Sequence, residues 1–101
     1  MAQATSNNVS TGLSESANYI VNYPNPFNAS TTIQYELKTD ATVTIEIYDL
    51  VGNRITQVTS EKEAAGVHTK LYSSDNLNNG FYFIKLRVNE ESFIKRIAFV
   101  K

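Results

Sequence analysis

Few side chains of this sequence could carry out chemistry on their own. His68 is the only histidine and there is no cysteine, so a transition-metal site would need carboxylates almost alone. A serine triad would have to use His68 as its base, and no serine lies in a nucleophile elbow. The carboxylates Glu36, Glu46 and Asp49 fall on or near outward strand positions, where they are usually solvated. The sequence therefore predicts no catalytic residue, no metal site, no cofactor and no enzyme.

One segment has a superficial likeness to a calcium-binding loop. Residues 75–80, DNLNNG, begin with an aspartate that asparagines follow. Leu77 stands at the third position of this segment, where an oxygen ligand is required, and Leu86 at the twelfth, where a bidentate glutamate belongs. We interpret the segment as a turn around one apolar anchor, Leu77.

Length and composition predict one small domain with a modest core. The chain has 101 residues, 42% of them apolar, and a formal net charge of −1. A nucleic-acid partner is not expected, because such proteins usually present a basic face. No apolar run approaches the ~20 residues that span a bilayer, so we expect no stable membrane insertion, and the N-terminus does not resemble a signal peptide. The absence of cysteine leaves the redox compartment open.

The chain divides into a leader and a body. Residues 1–17 are rich in Ser, Asn, Thr and Ala, carry one charge and show no sustained apolar period. This composition is typical of a flexible linker. Residues 18–101 form the predicted folded domain.

Within the body, apolar and polar residues alternate with a period close to two, which is typical of half-buried strands. We predict strands around residues 19–22, 31–37, 41–50, 55–58, 67–74, 81–89 and 90–101. Short strands at roughly ten-residue spacing predict an all-β fold. The expected architecture is a single immunoglobulin-like antiparallel β-sandwich of about seven strands.

Several details of this sandwich can be predicted. The short KTDA connection predicts a hairpin between the second and third strands, and residues 61–63 are expected in a solvated loop. The inward phase of residues 67–74 stays open. Ile94, Ile97 and Phe99 are expected to help fill the core. Its centre is predicted to contain Ile33, Tyr35, Leu37, Val43, Ile45, Ile47, Tyr82, Ile84 and Leu86.

The stretch NYPNPFN, residues 22–28, contains both prolines of the chain. Pro24 and Pro26 lack the N–H that a central strand requires and bias the residue before each of them away from helix. We predict an extended, rigid strap that Tyr23 and Phe27 pin to the domain.

Charge is distributed unevenly along the body. Residues 36–50 carry a net charge of −3, and residues 85–101 a net charge of +3 that includes Lys95, Arg96 and Lys101. Two interpretations stay open: cross-strand complementarity inside the fold, or a basic docking face near the end of the sequence.

Five motifs in fixed order resemble a known family. They are YPNPFN, STTIQYEL, VTIEIYDLVGNRI, AAGVHTKLYSSDNLNNGFYFIKL and IKRIAFVK. Together they resemble the type A C-terminal sorting domain of type IX secretion cargo in Bacteroidota, over roughly residues 19–101. The chain departs from the family pattern at Ala29, where a proline is common, and at Asn53, where a basic residue is common.

The resemblance implies a secretion address. It implies a larger cargo, fused N-terminally, that passes through the periplasm and is then secreted or displayed at the cell surface. The expected partners are the type IX outer-membrane translocon and sortase components. The sortase commonly removes the domain and attaches the cargo to an anionic lipopolysaccharide, and the cut is expected in or beside residues 1–17, where backbone is accessible.

The resemblance and the charge pattern together suggest a set of candidate residues for translocon recognition. For the two glycines, turn geometry is the alternative explanation. For the last lysine, the alternative is an edge charge that guards against aggregation. The set is Pro24, Asn25, Pro26, Gly52, Gly80, Tyr82, Lys95, Arg96 and Lys101.

Two other classes of protein stay open. An accessory immunoglobulin-like or carbohydrate-binding β-sandwich could use Tyr48, Tyr72, Phe81 and Phe83 as a sugar platform if they shared one exposed face; the absence of tryptophan argues against it. A purely structural spacer would tolerate loss of the last residues.

Overall fold

A computed structural model of the chain describes residues 17–74 and 77–101. These residues form seven strands. Among them there is no helix, and so none that could cross a membrane. The strands are β1 (Ala17–Tyr23), β2 (Ser30–Leu37), β3 (Ala41–Tyr48), β4 (Arg54–Glu63), β5 (Gly66–Ser73), β6 (Gly80–Val88) and β7 (Glu91–Phe99).

The strands form two sheets, in the orders β1-β2-β5 and β4-β3-β6-β7, with every neighbouring pair antiparallel. Inward residues of both sheets form one continuous core. This arrangement confirms the predicted all-β fold of about seven strands and is that of an immunoglobulin-like sandwich.

The alternating pattern identified the core correctly. All nine residues predicted for its centre are buried, and Ile33, Tyr35 and Ile45 have no exposed surface. Because successive side chains of a strand point to opposite faces, a run with one apolar set has only one way to face a core.

The predicted hairpin between β2 and β3 is wrong. β2 pairs with β1 and β5, whereas β3 pairs with β4 and β6 in the other sheet. Residues 38–40 thus connect one sheet to the other, and the β4–β5 connection passes between the sheets beside them. The Ala65 N–H donates to Asp40 Oδ1 at 2.9 Å and ties the two crossings together.

Residues 61–63 are not the predicted loop but the end of β4. Their charges have partners: Lys70 Nζ lies 2.6 Å from Glu61 Oε2 and 3.0 Å from Glu63 Oε2. The buried Tyr35 donates to Glu63 Oε1 at 2.5 Å. Burial, followed by the neighbouring Glu63, raises the pKa of Tyr35, which keeps this hydroxyl a donor.

For the two edge strands β5 and β7, the structure shows which residues face the core. In β5, Tyr72 is buried and Leu71 is exposed, so the polar-looking set faces inward. In β7 the inward residues include Phe93, Ile97 and Phe99, whereas Ile94 is 44% exposed. The prediction that Ile94 fills the core is therefore wrong.

The predicted linker, residues 1–17, falls outside the described residues except for Ala17, and it stays a prediction. Ala17 is fully buried and is the first residue of β1. It pairs with Leu37, at the far end of β1 from the proline strap.

Candidate functional site

Four segments meet at one end of the sandwich. Register places the start of β2 opposite the end of β5, the start of β6 opposite the end of β7, and the end of β3 near the start of β6. The proline strap follows the end of β1. We call this end the strap end; it consists of residues 24–29, 49–53, 77–80 and 98–101.

The strap bends rather than extending as predicted. The peptide bonds before Pro24 and Pro26 are both cis, and residues 24–26 form a bend. Of the two aromatics expected to pin it, only Phe27 is buried, and Tyr23 is 49% exposed. The Phe27 ring packs edge to face against Tyr72 and Phe99, with centroids 6.1 Å and 5.3 Å away.

The strap also hydrogen-bonds to β7 and the residue after it. The Ala98 N–H donates to Asn25 Oδ1 at 3.1 Å, and the Phe27 N–H donates to the Ala98 carbonyl at 3.0 Å. The Val100 N–H donates to the Phe27 carbonyl at 2.9 Å. The strap therefore covers this part of an otherwise open sheet edge, which would be a template for pairing with other chains.

A buried polar pair holds the first turn of the strap. Asn22 and Thr31 are both buried, and Asn22 Nδ2 donates to Thr31 Oγ1 at 3.1 Å. Thr31 Oγ1 in turn donates to the Pro24 carbonyl at 2.9 Å. These bonds satisfy Asn22 Nδ2 and the Thr31 hydroxyl, which would be costly to bury alone, and they fix where Pro24 lies.

The start of β6 holds the opposite side of the strap end. Gly80 has a φ of +150°, which other residues rarely adopt. The Lys101 N–H donates to Asn79 Oδ1 at 2.9 Å. Tyr82 is buried, and its hydroxyl donates to the Asn78 carbonyl at 2.7 Å, so Tyr82 positions the segment before Gly80.

Gly52 lies in a turn organised by Asp49. One carboxylate oxygen, Asp49 Oδ1, accepts from the N–H groups of Val51, Gly52 and Asn53 at 2.9–3.0 Å. The Asn53 amide is the main reason that the pKa of Asp49 lies below its ordinary value. Gly52 has a φ of +101°, so turn geometry alone accounts for a glycine here.

The basic candidates differ in their surroundings. Lys95 is half-buried on β7, with the parity of the inward residues. Arg96 is exposed, and its guanidinium lies 4.7 Å from the centre of the Phe81 ring, within range of a cation–π interaction. Lys101 is exposed beyond β7.

The strap end therefore presents bends, glycine turns and one cation, Lys101, with Lys95 and Arg96 beside it, rather than a reactive centre. A family model described as a secretion system C-terminal sorting domain matches residues 21–100. The chain belongs to this family. No curated protein and no solved structure matches the chain.

Membership gives the coarse role of the sorting domain. Its family provides a C-terminal signal for type IX secretion, fused to a cargo that is exported to the cell surface or secreted. The family is one of secretion signals rather than enzymes, and it implies a source in Bacteroidota.

The structure contains contacts that fit each interpretation of the uneven charge, cross-strand pairing inside the fold and a basic docking face. Glu46 lies opposite Lys85 in the β3–β6 register, and Glu46 Oε2 is 3.0 Å from Arg54 Nη1. Burial raises the pKa of Glu46, but hydrogen bonds from Arg54 and Tyr48 outweigh it and leave that pKa below its ordinary value. Arg96 has no ion-pair partner among residues 17–74 and 77–101.

The only histidine lies away from the strap end. The His68 ring stacks on Tyr35, its Nε2 lies 2.6 Å from the Ala64 carbonyl, and its Nδ1 lies 3.7 Å from Glu63. Within the described part of the chain, no three His, Cys, Asp or Glu side chains are grouped as a metal site requires. Leu77 is buried, as an apolar anchor would be, and residues 75–76 lie outside the described ranges.

The sugar platform is incomplete in this structure. Tyr72 is buried in the other sheet, so it does not share a face with Tyr48, Phe81 and Phe83. Lys85 lies over the ring of Tyr48 at 5.8 Å, and Arg96 lies over that of Phe81. Cations thus compete with a sugar for two of the three remaining rings.

Sequence reasoning found only part of what holds the strap end together. The asparagines of NYPNPFN are expected to bond to local backbone, as Asn22 does with the Pro24 carbonyl at 3.5 Å, but the bonds of Thr31 and Asn79 were not predicted. The available signal was the frequency of asparagine beside the prolines and Gly80, since asparagine often bonds to backbone in turns.

Proposed function

We propose that the type IX translocon recognises the sorting domain at its strap end. One observation carries this proposal: Asn25 and Phe27 bind Ala98 and Val100 directly. Motifs from opposite ends of the sequence therefore form one surface. Pro24, Pro26, Gly52 and Lys101 belong to the same end.

Three candidates have narrower roles in this proposal. Tyr82 acts as a positioning residue, because its side chain is buried beneath the segment that it holds. Lys95 and Arg96 lie on β7 beside the strap end, and only Arg96 is exposed. Contact with the translocon thus rests on the bends, Arg96 and Lys101.

The position of β1 supports a simple arrangement of cargo and signal. Ala17, where residues 1–16 join the sandwich, lies at the end of β1 opposite the strap. A cargo attached before these residues joins the sandwich at the end away from the strap. In this arrangement the cargo carries any enzymatic activity, and the sorting domain carries none.

The later steps follow the family resemblance. The cargo crosses the periplasm, the translocon exports it, and a sortase cuts in or beside residues 1–17 and attaches it to lipopolysaccharide. An accessory binding module would undergo none of these steps.

The test is a fusion of the whole 101-residue chain to the C-terminus of a periplasmic reporter. We expect secretion in a type IX-competent strain and retention in the periplasm of a strain that lacks the translocon. The mass of the released reporter locates any cut. Retention of a folded fusion in the competent strain would contradict the proposal and favour the accessory module or the spacer.

A further inference from the structure

The outer face of the four-stranded sheet carries aromatic and basic side chains, where a solvated sheet face usually carries mainly polar ones. Phe83 lies opposite Arg96 and Lys85 opposite Ile94 in the β6–β7 register, so these side chains are neighbours. We call this set the aromatic–basic face. It comprises Phe81, Phe83, Lys85, Arg87, Ile94 and Arg96.

Exposed apolar side chains lie on and beside this face, as others do on the three-stranded sheet. Phe81 is 47% exposed and Ile94 is 44% exposed. The neighbouring β3–β4 turn adds Leu50, 58% exposed, and Val51, 86% exposed. A contiguous apolar patch with a polar rim is typical of an interaction site.

A groove of about 370 Å³ lies between the turn and the face. Its size and its largely apolar walls suit a protruding aliphatic or aromatic side chain of a partner. Side chains that line it include Tyr48, Leu50, Val51, Phe83, Lys85 and Ile94.

The charge on the face favours an acidic partner. Two of the nearby carboxylates are already engaged: Glu46 pairs with Arg54, and Asp49, which also lines the groove, accepts from the amides of its own turn. Among the described residues, Lys85, Arg87 and Arg96 have no carboxylate within ion-pair distance.

We propose that the aromatic–basic face binds an acidic segment of a partner protein. An apolar side chain of that segment fills the groove, and carboxylates beside it pair with Lys85, Arg87 and Arg96. This site lies on the outer face of one sheet and adjoins the strap end, with which it shares the turn residues Leu50 and Val51. It also uses Arg96, which the proposed function assigns to contact with the translocon, but its test measures peptide binding and not secretion.

The geometry favours a protein segment over an anionic membrane. Lys85 and Arg96 lie against aromatic rings, which holds their charges at defined positions where they suit directional pairing. A concave groove fits a side chain better than a bilayer surface, and the chain has a net charge of −1 rather than a strongly basic balance.

The test is an NMR titration of the isotope-labelled 101-residue chain with a short, end-blocked peptide of alternating glutamate and leucine. We expect saturable shifts that centre on Phe83, Lys85 and Ile94. The double variant Lys85→Gln/Arg87→Gln should weaken binding about fivefold or more, from the loss of two ion pairs. Ile94→Ser should also weaken it, through the groove.

Matched variants control for charge and for exposed apolar surface. Lys38→Gln/Lys62→Gln removes the same charge elsewhere, and Leu71→Ser removes an apolar side chain that is 65% exposed on the other sheet. Both should bind the peptide like the unmodified chain. The proposal is overturned by absence of saturable binding at millimolar peptide or by equal binding of a lysine–leucine peptide. Binding of phosphatidylglycerol vesicles through the same residues, without peptide binding, would assign the face to a membrane instead.

Discussion

Phe27 and Phe99 meet twice, once through their rings and once through their backbones. The ring centroids lie 5.3 Å apart in an edge-to-face arrangement, and Phe27 forms an isolated parallel bridge with Phe99, the last residue of β7. Phe27 is thus both a core residue and a short extension of the four-stranded sheet. This double contact joins the proline strap to β7.

Replacing Phe27 by alanine should destabilise the domain severely. The side chain is 2% exposed, and truncation of a buried phenylalanine costs about 3–5 kcal/mol. Urea unfolding measures the loss. Tyr23→Ala, at the other aromatic of the strap, is the control and should cost about 1 kcal/mol or less, because Tyr23 is exposed. Equal losses from the two variants would mean that Phe27 does not pin the strap.

Asn25→Ala tests the contact between the strap and β7 more gently. It removes the oxygen that accepts from the Ala98 N–H, so we expect a loss of about 0.5–1.5 kcal/mol. Hydrogen exchange at the Ala98 amide should accelerate more than exchange at Ile97. The control is Asn28→Ala, at an exposed strap position for which the described structure shows no hydrogen bond. Unchanged exchange at Ala98 would argue against the contact.

The Asp49 turn predicts a pH dependence with a definite sign. The folded-state pKa of Asp49 lies below its ordinary value of 3.8, so the folded state favours the carboxylate. The resulting stability is present above pH 3.8 and is lost as pH falls through the folded-state pKa. The difference in Tm between the unmodified chain and Asp49→Asn should therefore narrow as pH falls from about 5 to about 2.

Val51→Ala is the control for this measurement. It changes a non-titrating, 86% exposed residue of the same turn, and its Tm should follow that of the unmodified chain throughout. A constant difference between the unmodified chain and Asp49→Asn over the whole range would show that the turn amides do not favour the charged form.

The sequence predicts which residues face inward far better than which strands pair. The alternation of apolar and polar residues predicted the inward residues of β2 and β3, because a period of two makes only one face of each strand apolar. It did not show that the short connection after Leu37 crosses between sheets, since inward residues look alike in a hairpin and in two facing strands. The sequence did not predict that β4 extends to Glu63, because the partners of Glu61 and Glu63 come from the distant strands β5 and β2.

The candidate site shows the same division between local and distant information. Proline restrictions and glycine turns can be inferred locally, and the resemblance orders the motifs along the chain. The bond between Asn25 and Ala98 joins residues 73 positions apart, so it follows only from the packing of β1 beside β7. In the sequence Lys95 and Arg96 are adjacent basic residues with no visible difference. In β7, however, Lys95 falls on the same side of the strand as the inward residues.

The final prediction separates recognition from folding. The triple variant Lys95→Gln/Arg96→Gln/Lys101→Gln removes three positive charges and leaves every apolar position of β7 intact. Because Arg96 and Lys101 are exposed and Lys95 is half-buried, the loss of stability should be about 0–1 kcal/mol for each. If these charges contact the translocon, a reporter with the triple variant keeps a near-normal Tm and yet accumulates in the periplasm.

Lys38→Gln/Lys62→Gln is the control for general charge effects, and this reporter should be secreted normally. Lys95→Gln alone should have little effect on secretion, because Lys95 is half-buried and has the parity of the inward residues of β7. Normal secretion of the folded triple variant would show that the charges are not the signal. Recognition would then rest on the backbone of the strap end, and Gly52→Ala and Gly80→Ala, which disturb positive-φ turns, would be the variants that retain the reporter.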